Sequence, residues 1–176
     1  APEYVLVLDN LSLEMEHVYD WWHHCKGEKG SVSQAHSPGQ PREEAIDPGL
    51  KYVADIMRGN ADCDLTWEVT QNRGRVRLVL AKGGETNVLT GTGPLTSLDK
   101  RAPAVRFTRK GKNATFAAAL EFVGQNKTPF VSGIEVDYKD GKTIVTVTYE
   151  NGKDRFVLSD RGLSVSDGPR KTDAGV

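Results

Sequence analysis

Hydrophobic and polar positions alternate with period two over much of the chain, the pattern of strands that bury one face and wet the other. In Arg75–Leu80, residues Val76, Leu78 and Leu80 fall on one face, and Arg75, Arg77 and Val79 on the other. Leu65–Val69 precedes this run across Gln71-Asn72-Arg73-Gly74, which has turn chemistry. Further on, Ile134–Tyr138 leads through Asp140-Gly141 into the β-branched run Ile144–Tyr149, and Asn151-Gly152 separates that run from Arg155–Leu158. Asp-Gly and Asn-Gly are favoured by tight hairpins, so these three runs predict a meander. Val5–Leu8, Tyr19–His24, Asn87–Thr90, Val105–Thr108 and Thr115–Phe122 are the other expected strands. Thr115–Phe122 is Ala-rich and would suit a helix on propensity. The alternation of Phe116, Ala118, Leu120 and Phe122, after a turn at Lys110-Gly111-Lys112-Asn113, favours a strand.

Three stretches interrupt the pattern. Glu14-Met15-Glu16 reads as a loop or bulge. Lys26–Pro48, rich in Gly, Ser, Pro and charge, reads as a long connection, either an excursion over the surface or a disordered loop. Leu50, Val53, Ala54 and Met57 stand at helical spacing and predict a short helix. The fold class expected is all-β, an antiparallel two-sheet β-sandwich with a long N-terminal loop excursion, over residues 1–167, with a flexible polar tail at 168–176.

Composition narrows the function classes. The 176 residues are 38% hydrophobic and 27% charged, enough for one domain with its own core. Lys and Arg number 23 against 24 Asp and Glu, a net charge of -1, which lacks the electrostatic footprint of a nucleic-acid binder. No apolar run approaches the ~20 residues of a membrane helix. The expected partners therefore include no nucleic acid and no membrane. The opening residues read as a strand entered midway, not as a secretory leader.

The densest chemistry is His17-Val18-Tyr19-Asp20-Trp21-Trp22-His23-His24. As a strand it sets His17, Tyr19, Trp21 and His23 on one face and Val18, Asp20, Trp22 and His24 on the other. Each face then carries an aromatic ring beside polar groups. That suits a sugar, whose C–H face stacks on a ring while its hydroxyls and carboxylate find partners. The candidate substrate-binding residues are His17, Tyr19, Trp21, Trp22 and His24, and one of the two tryptophans must face the core. Asp20 and His24 offer a metal-ligand pair, but four strand residues separate them by roughly 13 Å, so no metal and no cofactor is expected in this chain. A Gly-x-Ser-x-Gly elbow and a phosphate loop are both missing, and His24 and Cys25 point to opposite faces. Cys25 and Cys63 lie outside any Cys-x-x-Cys pair and read as two buried thiols or one disulfide. Arg101, Arg106, Arg109, Lys110 and Lys112 form either a solvated strand edge or a patch for an acidic ligand. Asn10, Asn113 and Asn126 head Asn-x-Ser/Thr sequons.

The His17–His24 segment resembles the His-Thr-Tyr-Asp-Trp-x-x-His signature of the heparinase II/III-like polysaccharide lyases. Pro103–Glu121 is similar to a second stretch of that family, in which an Arg-bearing apolar strand runs through Lys-Gly-Lys into an Ala-Thr-Phe strand. Val5-Leu6-Val7-Leu8-Asp9 is similar to the family strand that precedes the His-Tyr-Asp segment. The resemblance spans most of Tyr4–Leu158. It implies a parent protein with an N-terminal α/α toroid and an antiparallel β region, cleaving uronic-acid polysaccharides by β-elimination. The family's zinc and catalytic motifs are missing from this chain, so the resemblance carries no catalytic role to any residue here. The implied chain is a C-terminal β-sheet part, inactive alone, periplasmic or secreted. Its implied partners are an acidic polysaccharide or oligosaccharide and the helical catalytic module of the same parent protein. The alternative is a stand-alone carbohydrate-binding or structural β-sandwich without catalysis.

Overall fold

The computed structural model describes residues 3–33, 36–39 and 50–166. The expected tail at 168–176 and much of the Lys26–Pro48 connection lie outside them. The described residues form strands and turns with no α-helix. The strands are β1 (Val5–His24), β2 (Lys29–Ser33), β3 (His36–Gly39), β4 (Ala54–Ala61), β5 (Leu65–Gln71), β6 (Gly74–Leu80), β7 (Thr86–Pro94), β8 (Arg101–Gly124), β9 (Val131–Lys139), β10 (Lys142–Tyr149), β11 (Gly152–Ser159) and β12 (Gly162–Ser166). All pairings are antiparallel, in two sheets.

The larger sheet has the order β2-β5-β6-β8-β7-β4-β3, with β1 paired to β8. The smaller, β12-β11-β10-β9, is the predicted meander plus one further hairpin. Its first turn is Asp140-Gly141, both at positive φ, 52° and 70°. That is the conformation a type I′ hairpin requires and the reason for this dipeptide.

The long strands depart from the sequence reading. Val5–Leu8 and Tyr19–His24 are two ends of the 20-residue β1, and Val105–Thr108 and Thr115–Phe122 two ends of the 24-residue β8. The expected turn at Lys110–Asn113 therefore does not fold β8 back on itself. The two strands instead pair from Val5↔Leu120 to His24↔Ala104, with a register shift where residues 13–16 of β1 face Lys112 alone. The Glu14-Met15-Glu16 irregularity is thus a bulge inside a strand. It has a packing purpose: Phe107 and Phe116 are nine positions apart and would alternate to opposite faces, yet both enter one core. The three extra residues of β1 mark the point where the facing of β8 changes, as a bulge re-aims a strand.

β6 and β7 share the other edge of β8 in tandem, β7 along residues 101–108 and β6 along 118–124. The sheet curls, bringing β2 back toward β7 and β8, and the Cys25 amide donates to the Pro103 carbonyl at 3.2 Å. Inside the curl lie Trp67, Phe107, Phe116, Leu65, Leu78, Leu80 and Val105 with Tyr19 and Trp21. The convex side packs Val79, Ala117 and Ala119 against Val131, Ile134, Val145 and Val147 of the smaller sheet.

Two further expectations need correction. The helix proposed from Leu50 to Met57 does not form: residues 50–53 make a turn, and Ala54 onward is β4, paired to β7. Eight residues cannot hold a helix on one apolar stripe, and the β7 edge satisfies the backbone of β4 better. Within Lys26–Pro48, β2 pairs with β5 and β3 with β4, so the stretch is not simply a loop. Its alternation is too short and too Gly- and Ser-rich to read locally.

Candidate functional site

The β1–β8 ladder sorts the sequence-predicted residues between the two faces of the larger sheet. Tyr19 and Trp21 are both 7% exposed and belong to the core. The Tyr19 hydroxyl donates to the Lys112 carbonyl at 2.8 Å, and Trp21 Nε1 donates to Asp9 Oδ2. Trp21 stacks on Phe116 at 5.2 Å and meets His23 edge-on at 4.1 Å. His17 is on the same side, exposed, with its ring edge-on to Tyr19 at 5.1 Å. Trp22 and His24 take the convex side; Trp22 is half-buried and His24 exposed. Alternation thus separates the five candidates, and only Trp22 and His24 share a surface.

That surface carries partners from β8. Trp22 pairs with Arg106 and Asp20 with Thr108. The Arg106 guanidinium lies 5.3 Å from the Trp22 ring centre, within cation–π range. Arg106 also stands 3.8 Å from Asp20 Oδ2, and Thr108 Oγ1 donates to Asp20 Oδ1 at 2.6 Å. The result is a row across two strands: hydroxyl, carboxylate, guanidinium, indole. Side-chain burial to 12% exposure fixes the Arg106 head against the sheet. Thr108 escaped the sequence reading, because which residue stands across from Asp20 depends on a register that only the long ladder sets.

The basic residues of 101–112 do not form one patch. Arg101 donates to the Thr92 carbonyl at 2.6 Å. Lys110 is 3.6 Å from Glu16, both well exposed. Arg109 is 4% exposed and bonds Thr86 Oγ1 at 2.9 Å, the Ala81 carbonyl at 2.8 Å and the Thr115 carbonyl. Burial lowers its pKa to about 10, which leaves it charged at neutral pH. Arg109 is therefore neither a solvated edge nor a ligand group. On the core side, burial lowers the pKa of His23, opposed by the charge of Asp9. Cys25 and Cys63 are free thiols, and burial raises the pKa of Cys25.

Among the described residues no cluster of three or more His, Cys, Asp or Glu side chains is placed to hold a metal ion. Compared with protein-family models and with curated proteins, the chain matches none.

Proposed function

We propose that this chain is the β-sheet part of a polysaccharide lyase of the heparinase II/III-like kind, and that its convex face forms one wall of a cleft for uronic-acid polysaccharide. The observation that carries the reading is the row Thr108, Asp20, Arg106 and Trp22. An indole offers a stacking plane for a pyranose C–H face, the guanidinium beside it a fork for a uronate carboxylate, and the Asp20–Thr108 pair a partner for hydroxyls. His24, two positions along on the same face, extends the polar rim. The helical catalytic module of the parent supplies the reacting groups. Its docking surface is supported by β1, whose described pairings run to β8 alone, with Leu11, Leu13, Met15 and Val18 37–72% exposed along it. An extracellular polysaccharide as ligand puts the chain in the periplasm or outside the cell.

The test is calorimetric titration of the full chain with oligosaccharides of alginate, heparan sulfate and chondroitin. At least one acidic series binds, and Trp22→Ala weakens it about tenfold, since an aromatic contact contributes ~0.5–1.5 kcal/mol beyond its area. Trp22 is half-buried, so the melting temperature is followed in parallel. Binding unchanged in a folded Trp22→Ala variant would overturn the reading.

A further inference from the structure

We infer that the larger sheet takes up a further strand from a partner polypeptide, paired to the open edge of β1 over residues 5–12 and roofed by β12. The smaller sheet defines the slot. Directly opposite residues of an antiparallel pair point to the same face, so Val136, Val145, Phe156 and Val165 form one row across it, and Tyr138, Thr143, Leu158 and Leu163 the next. Val145 is fully buried between the sheets and Thr143 is 4% exposed, whereas Val165 and Leu163, at the β12 end of the same rows, are 50% and 55% exposed. Hydrogen bonds between the sheets explain the difference. Arg77 Nη1 on β6 donates to the Val131 carbonyl on β9 at 2.8 Å. The Tyr4 hydroxyl donates to Asp154 Oδ2 at 2.6 Å and Asn10 Nδ2 to Thr143 Oγ1 at 3.2 Å, which sets β1 beneath β11 and β10. With β9 over β6 and β10–β11 over β1, β12 projects past β1, and its apolar inner face meets no strand of the larger sheet among the described residues.

The edge of β1 beside this roof is open and unguarded. Among the described residues β1 pairs with β8 alone, and in an antiparallel strand alternate N–H and C=O groups point away from the partner. Sheets guard such edges with Pro, Lys, a bulge or a short strand. Residues 5–12 run in regular register opposite Leu120 to Asn113 with none of these, and the bulge begins only at residue 13. Their one charge, Asp9, accepts a hydrogen bond from Trp21 Nε1 on the concave side. A strand added here pairs with the open backbone groups and sets alternate side chains against Leu158, Leu163 and Val165, as β1 sets Leu6 and Leu8 against the same sheet. The packing between the two sheets is thereby continued by one strand.

Sterics select the occupant. A second copy offering its own residues 5–12 about a two-fold axis is excluded, because its β11 stands over its β1, in the space that β12 of the first copy fills. The slot is therefore for a different segment: extended, free of Pro where it pairs, and apolar on the side that faces β12. Val5 and Leu11, 53% and 37% exposed, offer apolar neighbours on its other side as well. This is the mode in which sheet edges recruit peptides, with main-chain bonds holding the strand and alternate side chains selecting it. The slot lies along the first half of β1 and the Trp22 row along the second, so peptide and sugar binding are separable.

The experiment titrates the full chain with a synthetic peptide of alternating Val and Thr, capped by Lys for solubility, and follows amide hydrogen exchange. It is repeated with a peptide carrying Pro at its central positions, which lacks the N–H groups there. The double variant Leu163→Ser/Val165→Ser, altered at two exposed side chains that leave the fold intact, is titrated in parallel. Expected are slowed exchange at alternate amides of residues 5–12, about tenfold weaker binding to the double variant, and no slowing with the Pro peptide. Exchange in residues 5–12 unchanged at millimolar peptide would overturn the inference, and so would slowing confined to another edge strand. Equal affinity of the double variant would overturn the role of β12. Residues 5–12 protected in the chain alone, with a doubled mass in sedimentation, would give the slot to a second copy and overturn the assignment to a partner.

Discussion

His23 shows how a residue next to the candidate site serves the core. Its Nε2 is buried and, among the described residues, makes no hydrogen bond, while its ring packs edge-on against Trp21 and 6.4 Å from Phe107. Desolvation lowers its pKa below the usual 6.5, with Asp9 pulling the other way. A histidine whose folded-state pKa is depressed contributes stability above the unfolded value, and the contribution is lost as pH falls. The unfolded chain takes up a proton near pH 6.5 before the folded one does, so stability declines from there downward. His23→Phe removes both the titration and the unsatisfied nitrogen. We expect it to melt no lower than the parent at pH 7 and to lose less melting temperature between pH 7 and pH 5. An equal loss in both proteins would show that another group titrates.

At the level of elements, Arg109 holds the junction of β6, β7 and β8. β6 leaves β8 after Leu80↔Ala118 and β7 joins at Asn87↔Thr108, so the stretch between lacks a continuous ladder. The guanidinium fills that gap, bonding Ala81, Thr86 and Thr115 at once with the Phe116 ring 4.9 Å from its centre. Gly83 is required beside it, since a Cβ there would collide with the guanidinium. Arg109→Met strands two buried carbonyls and a hydroxyl. It should cost about 3 kcal/mol, a fall in melting temperature of roughly 10 °C in a chain of this size. Arg101→Met, at an exposed hydrogen bond, should move it little. Equal effects would show that the junction does not depend on the guanidinium. None of this is legible in the sequence, where Arg109 sits among Arg106, Lys110 and Lys112 like any surface cation. What is legible is local: alternation and the Asp140-Gly141 turn define the meander because two-residue hairpins depend on neighbours in the chain. The merging of separate runs into β1 and β8 depends on pairing between residues some 80 to 115 positions apart. That pairing decides the register, and the register decides that Trp22 meets Arg106 while Tyr19 and Trp21 go to the core.

For the whole molecule, the face proposed to bind sugar carries, among the described residues, no complete set of reacting groups for one uronate. β-Elimination from a uronate needs a base within hydrogen-bond reach of C5, a group that neutralises the carboxylate, and a proton for the departing oxygen, all on the same residue of the polymer. The Tyr19 hydroxyl is buried against the Lys112 carbonyl, and the ring of His23 faces the core. His24 is exposed on the convex face, but Asp20 is roughly 13 Å from it along the strand and already serves Thr108 and Arg106. Tyr138 and Lys142 belong to the smaller sheet, on β9 and β10. Incubated with alginate, heparan sulfate and chondroitin, the pure chain should therefore bind without raising the absorbance of unsaturated uronate ends. Product that grew in proportion to chain concentration and vanished in His24→Ala would place the base on this face, and the wall assigned to binding would then be part of the catalytic centre.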